Sequence, residues 1–206
     1  MALQTPPESG FDIPISTTAD MANQGTLLPV DYISQGQTRN LCWAACCEMV
    51  LRANGVLDKK ICEIAQLFVD PSINCCADPN VCPEDCDKTL ATPEQAYASC
   101  NVMLSDANSP YQSYFEMSSL VSEIGKNHRP VEIYFLWNGG ASAHLALAIG
   151  VKSAASGTNS MGMVYMNDPL YGYGWVAYED VLAAYGYGGT WRQTWQGIGY
   201  SLGPLT

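Results

Sequence analysis

The sequence predicts an α+β domain. Its helix-forming segments precede its strand-forming ones, glycine-rich turns separate the later segments, and 206 residues suit one domain. Residues 1–30, rich in Pro, Thr, Ser, Gln and Asn and without a sustained period, read as an extended arm lying on the domain. Residues 31–206 then form a single domain, with a helical half over about 31–126 and a β half over about 127–206. A short strand is expected at Val30–Ile33. Asn40 is a good N-cap for the helix-compatible run Leu41–Ala53, which Asn54-Gly55 closes. A second helix is expected over Asp58–Phe68, where Ile61, Ile64, Ala65 and Phe68 recur at helical spacing. A third spans Pro93–Cys100, with Thr92 as cap and Pro93 at its first position. A fourth runs from Met117 to Lys126, ahead of Pro130. Strands follow at Val131–Trp137, His144–Val151 and Met161–Asn167, and near Gly197–Leu202. Packing such helices against one side of an antiparallel sheet completes the architecture.

Composition excludes several function classes. Nine Lys and Arg against 20 Asp and Glu give a net charge of −11. A chain this acidic, with no basic cluster, would repel a phosphate backbone, so no nucleic-acid partner is expected. Hydrophobic residues make up 48% and charged ones 14%, which argues against disorder, and no apolar run approaches the roughly 20 residues of a membrane span. Nothing in the sequence indicates an oligomeric state.

All nine cysteines lie between Cys42 and Cys100. Such a load points to an oxidising compartment, so a secreted, cell-surface or periplasmic location is expected. The opening residues, MALQTPPESG, lack a charged and apolar leader; any leader would have been removed upstream. If one thiol is kept as a nucleophile, Cys46, Cys47, Cys62, Cys75, Cys76, Cys82, Cys86 and Cys100 can form up to four bridges. Their pairing cannot be read from the sequence. The competing reading is a four-thiolate zinc site from Cys75, Cys76, Cys82 and Cys86. Adjacent cysteines rarely bind one ion together, and the segment around them reads as a stapled surface loop, so disulfides are favoured and neither metal nor cofactor is expected.

Candidate chemistry begins at Cys42. The unpaired N–H groups and positive dipole end of a helix favour an anion, and a thiolate is one. His144, one of only two histidines, opens the apolar strand, with His144, Ala146 and Ala148 on one face and Leu145, Leu147 and Ile149 on the other. Its small neighbours leave room for a helix end to approach, as a Cys–His pair requires. His128, beside Arg129-Pro130, reads as a loop residue instead. Asp168, where Pro169 ends a strand, can orient the imidazole; the amide oxygen of Asn167 is the alternative. Gln35 and Gln37 are the side-chain candidates to join the Cys42 backbone N–H as oxyanion donors.

These residues resemble a known family. Pro29 to Gln35 followed by Asn40-Leu41-Cys42-Trp43-Ala44-Ala45, then Gly139 to His144, then Asn167-Asp168-Pro169, is similar to the bacterial papain-like cysteine peptidases whose nucleophile opens a Cys-Trp-Ala-Ala helix, the bacteriocin-processing type among them. The similarity runs from about Pro29 to Asp180, and Cys75-Cys76 matches a cysteine pair that many members carry. The resemblance implies a helical half and a β half with the active site in the cleft between them. It implies Cys42 as nucleophile, His144 as base, Asp168 as orienter and a glutamine in the oxyanion hole. The usual glutamine position, six before the cysteine, is Gly36 here, and an upstream match favours Gln35 over Gln37. The expected activity is peptide-bond hydrolysis through a thioester, on a protein or peptide substrate. Two alternatives remain: the same triad acting on a glutamine side chain, as a deamidase or transglutaminase, and a non-catalytic disulfide-stapled binding domain. The Tyr/Gly-rich segment from Tyr171 to Trp195 has no counterpart, and either builds the cleft or covers the sheet.

Overall fold

A computed structural model describes residues 25–78, 82–89, 91–104, 109–153 and 161–199. At its centre is helix α1 (Cys42–Ala53), whose residues from Cys42 to Leu51 are all buried. A helix apolar on every side can be stable only when surrounded, and here α2 (Ile61–Gln66), α3 (Pro93–Ser99) and the sheet surround it. The one charge on its buried face, Glu48, is satisfied. Arg52 Nε donates to its carboxylate at 2.8 Å and so does the Ile61 N–H, which ties α1 to the start of α2. Gly55 ends α1 at φ +82, a conformation that costs a residue without a Cβ little.

The helices follow the expected order with shifted ends. Asn40 is not the cap of α1. Its side chain and N–H are spent on Asp87, Leu41 occupies the cap position without a side-chain bond, and Cys42 is the first helical residue. The second helix starts at Ile61 because Glu63 accepts the Lys60 N–H, and it ends at Gln66 as Leu67 and Phe68 tighten into three-residue bonds. Thr92 and Gln95 cap each other at α3 as expected. The fourth segment is α4 (Met117–Leu120) continuing into a wider π-helical turn, Val121–Lys126.

A six-stranded antiparallel sheet forms the second half. β1 (Gly25–Leu27) pairs with β4 and, in chain order, β2 (Met103–Leu104) lies apart from this sheet. The other members are β3 (Val131–Trp137), β4 (Ser142–Lys152), β5 (Met163–Asp168), β6 (Gly172–Ala177) and β7 (Thr190–Trp195), in the order β6-β5-β4-β3-β7. A short strand β8 (Ile198–Gly199) pairs with β2; the rest of the strand expected near Gly197–Leu202 lies outside the described residues. The strand expected at Val30–Ile33 is instead β1, because Pro29 has no N–H and the Val30 N–H turns back to Leu28 O. The Tyr/Gly-rich segment does not merely cover the sheet. It supplies the strands at the two ends of the β6-β5-β4-β3-β7 row, β6 and β7, with the short helix α5 (Tyr178–Leu182) between them. The molecule is therefore α+β, consistent with a papain-like fold. No helix among the described residues is long and apolar enough to cross a membrane.

Two disulfides close the cysteine-rich loop, Cys62–Cys76 and Cys75–Cys86. Cys42, Cys46, Cys47, Cys82 and Cys100 are not disulfide-bonded, so the chain forms two bridges where four were allowed. The bridges also take three of the four sulfurs of the zinc alternative, and no cluster among the described residues could hold a metal ion.

Candidate active site

Register decides which strand residues can meet. Phe135 stands opposite His144 on the β3–β4 side, and Asn167 stands opposite Leu147 on the β4–β5 side. Successive side chains alternate faces, so Asn167 shares the Leu147 face while Asp168, one residue on, shares the face of Ala146 and His144. Asp168 accordingly meets the imidazole, with Oδ1 2.7 Å from His144 Nε2. Asn167 does not. Its amide donates to Val30 O at 3.1 Å, holding the chain that leads to Gln35 against the sheet.

With Nε2 taken by Asp168, Nδ1 is the ring nitrogen left for Cys42, whose thiol interacts with the imidazole and favours its charged form. Helix start and strand start thus converge. All three groups are buried, with 8% of Cys42, 4% of His144 and none of Asp168 exposed. A buried carboxylate must be satisfied, and Asp168 is. The Leu170 and Tyr171 N–H groups donate to Oδ1 at 2.9 and 3.0 Å, and the Tyr185 hydroxyl donates to Oδ2 at 3.1 Å.

The imidazole is further boxed by aromatic rings. Trp137 lies 5.5 Å from it at 30° and Tyr171 5.8 Å at 74°. Trp137 can sit there because residue 189 is a glycine. A Cβ on Gly189 would lie 2.1 Å from the Trp137 ring. Tyr185 reaches Asp168 from a turn in which both Ala184 and Tyr185 have positive φ, a strained conformation for residues with a Cβ.

Burial alone would lower the His144 pKa, but the charge and hydrogen bond of Asp168, with Cys42 adding to them, outweigh it and push the imidazole up to about 10. Behind α1, Glu132 on β3 is fully buried with neither oxygen in a hydrogen bond. Burial pushes its carboxyl up to about 8.

The two glutamines part company. Gln35 is buried, 3% exposed, and its N–H donates to Pro169 O at 3.0 Å, directly after Asp168. Its Nε2 donates one hydrogen to Thr38 O at 2.7 Å. Gln37 is exposed at the turn. His128 is also exposed, in a loop at φ +53. The structure therefore brings together Cys42, His144 and Asp168, seats Gln35 against Pro169, and leaves Gln37, Asn167 and His128 away from the imidazole. Trp137, Tyr171 and Tyr185 escape a reading of the sequence. Trp137 had a usable signal, since it closes β3 immediately before Asn138-Gly139-Gly140 and the His144 strand. Tyr185 had none, because left-handed backbone on Ala184 and Tyr185 leaves no mark in residue type.

Residues 22–177, well over half of the chain, match the family model described as papain-like cysteine protease AvrRpt2. No curated protein matches the chain.

Proposed function

Because the chain belongs to the papain-like cysteine protease family, and is thereby a hydrolase acting on proteins, we propose that Cys42, His144 and Asp168 are its catalytic triad and that peptide bonds are cleaved through a thioester on Cys42. The observation that carries this reading is that the buried His144 imidazole lies 2.7 Å from Asp168 Oδ1 and interacts electrostatically with the buried Cys42 thiol. In the first half-reaction His144, held as the imidazolium, pairs with the Cys42 thiolate, and that sulfur attacks the scissile carbonyl carbon, forming a C–S bond. The oxyanion accepts hydrogen bonds from the Cys42 N–H and from the second N–H of Gln35 Nε2. Collapse breaks the C–N bond, and the imidazolium gives its proton to the departing amine. Water then attacks the thioester, His144 takes its proton, and the C–S bond breaks to release the acid and restore the imidazolium beside the Cys42 sulfur. Throughout, Asp168 holds the ring with Nδ1 toward the sulfur and stabilises the imidazolium.

The test is to incubate the protein with an unfolded protein such as reduced casein and count both new amino termini and free ammonia. New termini without ammonia are expected; ammonia without new termini would replace peptidase by glutamine deamidase. An absence of both, with no iodoacetamide label on Cys42, would favour the non-catalytic binding domain.

Burial and the Pro169 contact support Gln35 rather than Gln37 for the oxyanion role. One such donor is typically worth about 3 kcal/mol of transition-state stabilisation. Gln35→Ala is therefore expected to lower kcat by about 100-fold, and Gln37→Ala to stay within about twofold. Equal losses in the two variants would remove the assignment.

A further inference from the structure

The chain entering α1 is held from outside the helical core. Arg39 N–H is shared between Asp87 Oδ1 at 3.0 Å and Oδ2 at 2.9 Å, and Asn40 N–H donates to Oδ1 at 2.8 Å. Asn40 Nδ2 donates to the Asp87 carbonyl at 2.8 Å, and Trp43 Nε1 to the Lys88 carbonyl at 3.1 Å. Two consecutive residues, 87 and 88, thus accept every one of these bonds from residues 39, 40 and 43, on both sides of Cys42.

Asp87 is itself fixed. Its N–H and that of Cys86 both donate to Pro83 O, and Cys86, its immediate neighbour, is buried and bonded to Cys75. Cys75 N–H in turn donates to the Gln66 side chain at the end of α2. The carboxylate is therefore carried on a loop stapled to the helical half.

The segment it clamps joins the two proposed oxyanion donors. Residues 35–38 form a tight turn in which Thr38 Oγ1 donates to Gln35 O at 2.6 Å and Gln35 Nε2 donates back to Thr38 O. Residues 39 and 40 are anchored by Asp87, and Cys42 follows. Helix α1 has no side-chain cap of its own, since Leu41 stands at the cap position. With a backbone this short between Gln35 and Cys42, a shift at residues 39 and 40 must alter the spacing of the two donors and the aim of the sulfur at His144. A misplacement of about 1 Å can cost on the order of 100-fold in rate.

We infer that Asp87 is a positioning residue of the protease, a carboxylate on the Cys75–Cys86 loop that sets the geometry of the nucleophile and the oxyanion hole without touching substrate. This rests on the triad reading above. It adds a function for the cysteine loop, whose bridges otherwise serve stability alone.

The experiment compares Asp87→Ala, Asp87→Asn and the double variant Cys75→Ser/Cys86→Ser with wild type. For each, kcat and KM are measured on a peptide substrate, with the rate of iodoacetamide alkylation of Cys42 across pH. Asp87→Ala is expected to lower kcat about 30-fold with KM within about threefold, and to shift the pH profile of alkylation. Asp87→Asn, whose amide oxygen can still accept both N–H groups, is expected to recover most of kcat. The double variant should move in the same direction as Asp87→Ala. If Asp87→Ala does not fold, Asp87→Asn and the double variant carry the test. A folded Asp87→Ala with wild-type kcat and alkylation profile would overturn the inference and leave the triad standing. A loss that Asp87→Asn fails to recover, or one accompanied by an unchanged alkylation profile, would also overturn it, since simple destabilisation then accounts for it. Failure of the triad reading looks different, because wild type would then show no turnover at all or turnover would survive loss of Cys42 itself.

Discussion

Replacing Cys42 by Ala is expected to abolish peptide hydrolysis, by about four orders of magnitude or more in kcat, while the protein stays folded. The size follows from the proposed role as nucleophile. Without the sulfur no thioester forms, and what remains is the modest catalysis that binding and oxyanion donors give alone. Retention of the fold follows from the packing. Cys42 is the first residue of α1, at the edge of the buried surface, and the helix is held along its length by residues from Trp43 to Leu51 and by the Glu48–Arg52 pair. The loss of one small side chain at that edge costs about 1 kcal/mol, well within ordinary stability. Near-UV circular dichroism and a thermal melt would establish the fold, and a termini assay the turnover. Measurable turnover in a folded Cys42→Ala protein would remove the nucleophile and with it the mechanism.

Asp168→Ala is expected to have the second-largest effect, on both turnover and stability. The substitution strips the acceptor from His144 Nε2, from two backbone N–H groups and from the Tyr185 hydroxyl, all in a site where the carboxylate has no exposed surface. Breaking a buried pair by removing one partner costs about 3–5 kcal/mol, and loss of the residue that orients the imidazole costs a triad on the order of 10⁴ in kcat. Urea unfolding and steady-state kinetics read the two effects. Unchanged stability would mean that water or a neighbour replaces the carboxylate.

The same pair makes a prediction about pH. Folding raises the His144 pKa from the ordinary 6.5 to about 10, so the folded state holds a proton that the unfolded state releases. The stability this contributes is fully present below pH 6.5 and is lost as pH rises toward 10. Glu132 acts in the same direction over a lower window, its carboxyl holding a proton in the folded state from about pH 4.5 to about 8. The Glu132 slope is common to wild type and Asp168→Asn, whereas the His144 slope depends on the Asp168 charge. Between pH 6.5 and 10 the stability of wild type should therefore fall more steeply than that of Asp168→Asn. Parallel curves would show that the carboxylate does not hold the imidazole's charge.

Local chemistry explains how much of this was legible. Helix α1 could be read because a run of apolar, helix-compatible residues ending in Asn54-Gly55 has few other solutions. Alternation along Ala143 to Ile149 revealed β4, and Thr92-Pro93 with Gln95 revealed the start of α3. Strands β6 and β7 did not show, because Gly172, Gly174 and the aromatic residues around them carry no period of two; pairing with β5 and β3 makes them strands. Asn40 looks like a cap because Asn is a good one, but Asp87, 47 residues away and brought there by the cysteine loop, takes its N–H with the carboxylate and its side chain with the backbone carbonyl.

By itself the sequence determined the chemical cast of this protein, a cysteine opening a helix, a histidine opening a strand and an aspartate closing one, because residue type and short-range period are local properties. Only the tertiary structure decided that Asp168 rather than Asn167 meets His144, that Gln35 is buried while Gln37 is exposed, and which cysteines pair. Each of those choices depends on strand register or on which distant segment arrives to bury a group, and register and arrival are fixed by the packing of the whole chain.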